Sequence, residues 1–203
     1  MSILQTVRTV TRPRHDLMES LIGSDRLSNF SVEDYKLLLS TNYLFHSHLE
    51  HQSHFFLSLK DENQEEQVKK LDFLNRIKKD SLEIELRAML PVAIFQELKQ
   101  QENTIHFSSF ENLLGWLYVA EGSMLGGKMI HRILAQNKEI PLVTNFDFFK
   151  NYEEKTSYLW KSFKELVEQT CNTEQKKEMF LEGAEKAYLY FEAAFYKAKN
   201  ILQ

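Results

Sequence analysis

Apolar residues recur three and four positions apart along most of the chain, and the segments between such runs are short and polar. This spacing is typical of amphipathic α-helices, because it places the apolar side chains on one face. In the stretch "SVEDYKLLLSTNYLFHSHLEHQSHFFLSL", Ser31 is a candidate helix cap, Asp34 follows three residues later, and the apolar pattern continues to Leu59. The pattern therefore predicts a long helix from Ser31 to about Leu59.

The same criteria predict the remaining helices. A first helix covers about Leu4 to Ile22 and stops at Gly23-Ser24, while Pro13 either breaks it or marks its true first turn. The charged stretch from Lys60 to Lys70 is predicted to form a turn that leads into a solvated helix. Helices are then predicted between about Val68 and Lys99, with a break near Pro91, and from Ser108 or Ser109 to about Gln136. Two final helices cover about Phe146 to Gln169 and Thr173 to Ile201.

Composition supports an all-α fold. The chain contains only six glycines and three prolines, so the residues that punctuate sheets and long loops are scarce. Its 203 residues are 43% hydrophobic, which suffices for one sizeable core, and no repeat or linker divides the sequence. We therefore expect a single multihelical domain over residues 1–203.

Other features narrow the class of protein. The longest apolar run, Leu113 to Ala120, is far too short to span a membrane, and the N-terminal segment lacks the apolar core of a signal peptide. The single cysteine, Cys171, excludes an internal disulfide, and the formal charge of −4 disfavours nucleic acid as a partner. These features predict a soluble cytoplasmic protein that acts on a small molecule or a protein, without membrane or nucleic-acid partners.

The segment "VAEGSMLGGK" carries three glycines inside a helical pattern, although each glycine in a helix costs about 1 kcal/mol relative to alanine. Gly122 and Gly126 are four residues apart, so they share one face of the helix, with Ser123 and Gly127 beside them. Close packing of a neighbouring helix is one explanation. The other is a flat ligand that lies directly on the backbone, and the spacing alone does not choose between them.

The first predicted helix carries a stripe of polar residues. Arg8, Arg12, His15 and Glu19 fall on one side of it. Glu19, one turn beyond His15, is placed to accept a hydrogen bond from Nδ1 and leave Nε2 for a metal, and the two arginines suit a carboxylate-bearing ligand. The alternatives are a histidine satisfied within the core and arginines on a solvated helix edge.

Together these segments resemble a known family. "TxxxHxxxES" around His15 and "GWLYVAEGSMLGG" resemble motifs of the heme oxygenases, specifically the compact bacterial branch that makes biliverdin. The segments "NYLFHSHLE", "LWKSF" and "EGAEKAYLYFEAAF" are similar to that branch in the same order. The resemblance covers most of the chain and is weakest between about Lys60 and Phe107. It implies a fold in which heme lies between the first, proximal helix and a glycine-kinked distal helix.

The resemblance also implies roles for residues at the iron. His15 matches the proximal ligand of the heme iron, and Glu19 matches the acidic residue that orients its imidazole. Gly122, Gly126 and Gly127 match the distal helix, which passes so close to the other heme face that only backbone and small side chains fit there. These matches make His15 the expected metal ligand and the three glycines the expected distal surface.

Further matches concern the edge of the heme. Arg8, Arg12 and Lys164 match basic positions near the propionates, and Tyr188 and Phe195 match aromatic residues that wall the pocket. Basic residues at these positions in the family usually accompany opening of the ring at the α-meso carbon, so the resemblance favours the α isomer of biliverdin. Two positions depart from the pattern: Ser123 replaces a distal aspartate that many members carry, and Glu168 stands where relatives often have an arginine.

The expected chemistry follows from the resemblance. Heme is both substrate and cofactor, and O2 and electrons convert it to biliverdin, carbon monoxide and ferrous iron. The chain has no GxGxxG motif for a flavin or nicotinamide nucleotide. The electrons are therefore expected from an external donor, either a ferredoxin or a flavoprotein reductase.

Two rival functions remain open. The histidines of "HSHLEHQSH" suggest a di-iron helical bundle, but that class requires paired Glu-x-x-His motifs, and none of the seven histidines has a glutamate three residues before it. The second rival is a heme carrier or sensor that binds heme without turnover, which the departure at Ser123 leaves open.

Overall fold

Helices form all the regular structure in the residues that the computed structural model describes, which are 2–59, 65–150 and 153–203. The predicted all-α class is therefore confirmed. The α-helices are α1 (Ile3–Ile22), α2 (Val32–Ser58), α3 (Glu65–Leu71), α4 (Lys79–Met89), α5 (Val92–Lys99), α6 (Phe110–Leu125), α7 (Gly127–Ala135), α8 (Asp147–Lys150), α9 (Thr156–Thr170) and α10 (Glu174–Leu202). Short 3-10 helices occupy Ser24–Asn29, Phe73–Arg76, Ile140–Leu142 and Glu153–Lys155.

Side-chain caps define where several helices begin. Ser31 accepts a hydrogen bond from the Asp34 amide while Asp34 reaches back to Ser31, so the predicted cap of α2 is confirmed as a full capping box. The side chains of Ser109 and Thr173 cap α6 and α10 by accepting hydrogen bonds from the amides of Asn112 and Lys176. Gly23 ends α1 in the left-handed conformation, with a φ of 71°, which glycine adopts without steric penalty.

Pro13 does not break the first helix. It lies inside an uninterrupted α1, so the expectation of a break or a late start at this proline is wrong. The missing amide leaves the carbonyl of Thr9 without its helical donor, and Thr9 is exposed, so water can take the donor's place. Arg8 and His15 consequently share one continuous helix.

Three other predicted helices are divided. The glycine-bearing helix separates into α6 and α7 at Gly126, and the break at Pro91 is confirmed between α4 and α5. A second break follows α3 at Asp72, whose φ is 50°. The predicted helix from Phe146 to Gln169 is instead α8, a 3-10 helix and α9, and Phe146, with a φ of 58°, lies just before α8 in a non-helical conformation. Residues 60–64 of the predicted charged segment and 151–152 lie outside the described residues.

The core is organised around α10. This helix packs against α6, α2 and α1, and α9 lies against α6 and α1. Two glycines allow α6 and α10 to approach at backbone distance: an added Cβ at Gly115 would lie 2.1 Å from the carbonyl oxygen of Phe180, and one at Gly183 would lie 2.1 Å from that of Asn112. The helix that carries the glycine segment is therefore tightly fixed in its N-terminal half.

Candidate functional site

His15 lies on the exposed side of α1, with 46% of its side chain accessible. Its Nδ1 atom is 3.7 Å from a carboxylate oxygen of Glu19 and 3.7 Å from one of Asp16. Both distances exceed a hydrogen bond, so the carboxylates are near the imidazole without being bound to it. In the described part of the chain, these three residues form the one group of histidine and acidic side chains with ligand atoms close enough to hold a metal ion.

Aromatic residues of α10 border this histidine. The ring of Tyr188 meets His15 edge to face, with the ring centroids 6.4 Å apart. Tyr188 is buried, and burial raises the pKa of its hydroxyl to about 12, so it stays protonated near neutral pH. Phe195 is also buried and belongs to the same apolar cluster, together with Val7 and Met18 of α1. An apolar wall therefore stands next to a half-exposed imidazole.

The glycine face of α6 is open. A Cβ built on Gly122 would meet no atom of the described residues within 4 Å, and one on Gly126 would meet only ordinary contacts, the nearest at 3.8 Å from Ile130. Gly126 has a φ of −77°, which any residue adopts, so backbone conformation does not require glycine there. A Cβ added at Gly127 would lie 3.5 Å from the carbonyl oxygen of Phe149, which is again an ordinary contact. Close packing of a neighbouring helix thus explains Gly115 and Gly183, but not Gly122 or Gly126.

The glycine turn follows a residue of the apolar cluster that borders His15. Tyr118 precedes Gly122 by one helical turn and so shares its side of α6. Tyr118 packs against the apolar cluster that contains Tyr188 and, from α1, Val7 and Met18. Tyr188 in turn contacts the ring of His15. The glycine turn and His15 therefore border the same region.

Ser123 lies next to this open turn. Its side chain is exposed, but its hydroxyl donates a hydrogen bond of 2.7 Å to the carbonyl oxygen of Ala120 on its own helix. Ser123 stands where many members of the resembled family have an aspartate. Its hydroxyl proton already has an acceptor in the carbonyl of Ala120.

The three basic residues predicted for the ligand's acid groups have different surroundings. Arg8 and Arg12 are exposed, and Arg12 forms an ion pair of 2.7 Å with Asp16. Lys164 is half-buried on α9 with its ammonium 5.9 Å from the ring centroid of Trp160, and α9 packs against α1 and α6. All three are located on helices that border the region between His15 and Gly122.

A separate basic concavity adjoins the break between α6 and α7. It encloses about 620 Å³ and lies beside the His15 region rather than within it, because neither His15 nor Gly122 lines it. None of the residues predicted for the site lines this concavity. Its lining includes the basic residues Lys128, Arg132 and Lys150, together with His131.

A buried ionic cluster behind the glycine turn was not predicted. Glu121 immediately precedes Gly122, and its carboxylate pairs with Arg76 at 2.8 Å and with Lys78 at 3.1 Å. A glutamate inside the apolar run "GWLYVAEG" is a sequence signal for a buried charge, but its partners lie more than forty positions earlier and leave no local pattern. Long-range pairing of this kind appears only in the fold.

The histidines of α2 do not assemble a metal centre in the described residues. His48 is buried and its Nδ1 makes a short hydrogen bond with the hydroxyl of Tyr190, while His51 and His54 are exposed. Burial lowers the pKa of His48 to about 4, so it is neutral near pH 7. The di-iron interpretation therefore gains no support from their arrangement.

Comparison with known proteins gives a consistent family. The family model described as heme oxygenase matches residues 1–197. No curated protein matches the sequence significantly. Within the described residues, no helix is both long and apolar enough to cross a membrane.

Solved structures share the fold at low sequence identity. The chain is similar to the heme oxygenase of Neisseria meningitidis in its NO- and CO-bound forms, with 17% identity, a TM-score of 0.69, and coverage of 98% of this chain and 93% of that one. It is similar to the heme oxygenase of Leptospira interrogans, with 16% identity, a TM-score of 0.72, and coverage of 97% and 100%. A third match is heme oxygenase-1 of the cyanobacterium Synechocystis in complex with heme, with 18% identity, a TM-score of 0.65, and coverage of 100% and 94%.

Proposed function

Because the chain belongs to the heme oxygenase family, we propose that it binds heme as both substrate and cofactor and cleaves it with O2 to biliverdin, carbon monoxide and ferrous iron. The electrons come from an external donor, a ferredoxin or a flavoprotein reductase, since the sequence lacks a nucleotide-binding GxGxxG motif.

The observation that carries this proposal is the bare backbone at Gly122 and Gly126. Neither glycine is required by its φ, and neither is crowded by a neighbouring element. Each glycine nevertheless lowers helix stability relative to alanine. Neither the backbone conformation nor the packing of the protein without ligand explains why glycine is present. A flat ring seated against this turn supplies that reason, because any side chain there would occupy the space of the ring.

The residues around the turn suit the parts of a heme. His15 is the proposed iron ligand through Nε2, with Glu19 and Asp16 close enough to accept a hydrogen bond from Nδ1–H after a small side-chain movement. Tyr188 and Phe195 provide the apolar wall. Arg8, Arg12 and Lys164 are the proposed partners of the propionates, because a guanidinium or ammonium forms charge-assisted hydrogen bonds with a carboxylate.

The protein's own contribution is therefore positioning and exclusion of water. When bound, the heme supplies the redox-active iron and the carbon that is oxidised. The turn of Gly122, Ser123, Gly126 and Gly127 confines the space above the ring, and the basic residues set its rotation in the plane. Which meso carbon faces the confined space then depends on that rotation, and the three predicted anchors favour the α isomer.

A heme carrier or sensor is the second candidate, and Ser123 favours it. The hydroxyl of Ser123 donates to Ala120 at 2.7 Å, so this residue does not present a free proton donor to the open turn. A chain that binds heme without a route for protons would retain it unchanged.

One experiment separates these functions. Purified protein with one equivalent of heme is reduced in air by an electron donor while its absorbance is followed. Loss of the Soret band with formation of a bilin and carbon monoxide supports the oxygenase. A Soret band that persists through reduction supports the carrier, and the failure of heme to bind at all contradicts both.

A further inference from the structure

Glu121 joins the glycine turn to a buried ionic cluster on the opposite side of α6. The side chains of Arg76, Lys78 and Glu121 are 0%, 1% and 2% exposed. One carboxylate oxygen of Glu121 accepts from Arg76 at 2.8 Å, and the other accepts from Lys78 at 3.1 Å. Both oxygens of this carboxylate are thus held by cations from the segment between α3 and α4.

The two cations are themselves fixed by the surrounding backbone. Arg76 donates to the carbonyl oxygens of Leu71 and Leu159, at 2.6 and 3.2 Å, so it links three segments of the chain. Lys78 donates from its ammonium to the carbonyl of Arg76 at 3.2 Å, and its backbone amide donates to the buried carboxylate of Glu50 at 2.7 Å. The cluster is therefore a rigid attachment point for Glu121.

Burying three charges is an expensive way to stabilise a core, since well-packed apolar residues often serve as well. Ionic groups are retained in some proteins because they specify one arrangement of the elements around them. Here the element specified is the last turn of α6. The first half of α6 is already fixed by backbone contact at Gly115, whereas the helix is interrupted at Gly126 and has open space beside Gly122.

We propose that Glu121 is a positioning residue for the reaction, whose paired attachment to Arg76 and Lys78 sets how closely the Gly122 turn approaches the bound heme. This inference rests on the proposed function, since it assumes that the open face of Gly122 receives the ring. Glu121 does not touch the ring in this arrangement, because both of its carboxylate oxygens are engaged on the far side. It acts through the backbone of the residue that follows it.

The test uses the full chain loaded with heme. In Glu121→Gln, the neutral amide cannot hold both cations, so the turn shifts relative to the ring. The expected result is a shift of the C–O stretching frequency in the ferrous carbon monoxide complex, together with a changed ratio of biliverdin isomers on turnover. Glu111→Gln is the matched control, because it removes a carboxylate that pairs with Lys176 at 3.3 Å, about 15 Å away along the same helix.

A second variant covers the case in which Glu121→Gln does not fold. Lys78→Met removes one of the two attachments but leaves the Arg76–Glu121 pair neutral overall, and it should move the stretching frequency in the same direction by a smaller amount. The inference is overturned if a folded Glu121→Gln, or Lys78→Met where the first variant is unfolded, matches wild type in both readouts. If wild type itself forms no heme complex, the proposed function fails first. If wild type carries carbon monoxide on bound heme but makes no bilin, the stretching frequency alone decides.

Discussion

The carbonyl oxygen of Asn112 on α6 occupies the space where a side chain at Gly183 on α10 would begin, since an added Cβ would lie 2.1 Å away. Likewise, a Cβ added at Gly115 on α6 would lie 2.1 Å from the carbonyl oxygen of Phe180 on α10. The obstructing atoms belong to backbone, which cannot move aside as a flexible side chain can. The two central helices are therefore in direct backbone contact, and only glycine fits at either position.

Gly183→Ala should consequently destabilise the protein by roughly 3 kcal/mol or more, at or beyond the upper end of the usual range for overpacking a core. Urea denaturation followed by circular dichroism measures the effect. Gly122→Ala is the matched control: its Cβ would enter open space within a helix, so the apoprotein should gain about 0.5–1 kcal/mol. Equal stability changes in the two variants would contradict the assignment of these glycines to different roles.

Gly122→Leu and Gly126→Leu test the distal surface. In the apoprotein a Cβ at either position meets at most ordinary contacts, so we expect folding to be affected less than heme binding, because the bound ring would collide with the added side chains. We expect at least a tenfold loss of heme affinity, which corresponds to about 1.4 kcal/mol. Titration of the apoprotein with heme provides the measurement. A variant that stays folded and both binds and degrades heme like wild type would show that the ring lies elsewhere.

His15→Ala should remove the proposed iron ligand. The absorption spectrum of the ferric heme complex should change and most turnover should be lost, and added imidazole should restore part of both by filling the vacated space. His51→Ala is a suitable control, because His51 is exposed on α2 and lies outside the proposed site. An unaltered coordination spectrum in His15→Ala would refute the assignment.

Two buried groups, Glu50 and His46, make the free energy of unfolding depend on pH in opposite directions. Burial raises the pKa of Glu50 to about 7 from an ordinary 4.5, so between these values the folded chain holds a proton that the unfolded chain has lost, and stability falls as pH rises. Burial lowers the pKa of His46 from 6.5, so below that value the unfolded chain binds the extra proton and stability falls as pH drops. The two effects partly cancel between about pH 4.5 and pH 6.5.

Glu50→Gln should remove one of these effects and keep an acceptor for the amide of Lys78. The free energy of unfolding should then rise between about pH 5 and pH 7 more steeply than in wild type, by up to about 3 kcal/mol. Denaturation at several pH values checks the slope, with Glu97→Gln at an exposed site as the control. A slope identical to that of wild type would show that Glu50 ionises normally in the folded protein.

The isomer of biliverdin tests the proposed anchors. If Arg8, Arg12 and Lys164 hold the propionates, chromatography of the product should show mainly the α isomer, and Arg12→Ala should shift the ratio. Arg132→Ala, in the separate basic concavity, is the comparison variant and should leave the ratio unchanged. A dominant β or δ product, or a ratio that responds to Arg132 and not to Arg12, would place the propionates near that concavity instead.

Local sequence signals predicted the helix starts well. Ser31, Ser109 and Thr173 cap α2, α6 and α10 because each side chain satisfies an amide only three residues away, a relationship that is visible in sequence. Pro13 misled the prediction, because an exposed helix tolerates one missing hydrogen bond when its neighbours are well packed. Phe146 was wrongly predicted as helical, because a positive φ in a phenylalanine has no sequence signature.

The site was only partly predictable. The stripe of Arg8, Arg12, His15 and Glu19 follows from helical periodicity, and the structure places all four on α1 with exposed side chains. The glycine segment predicted either close packing or a flat ligand, and only the three-dimensional surroundings separate Gly122 from Gly115. The attachment of Glu121 depends on partners far away in the chain, so it required the fold.

If Arg12 binds an acid group of the ligand as proposed, that group replaces Asp16 as the partner of its guanidinium. The same carboxylate oxygen of Asp16 lies 2.7 Å from the Arg12 guanidinium and 3.7 Å from Nδ1 of His15. An acid group that draws Arg12 away releases this oxygen to the imidazole, which becomes a stronger electron donor when its N–H is shared with a carboxylate. If His15 is the iron ligand as proposed, its donor strength then depends on whether Arg12 is bound to an acid group of the ring, because the Asp16 carboxylate lies beside both residues.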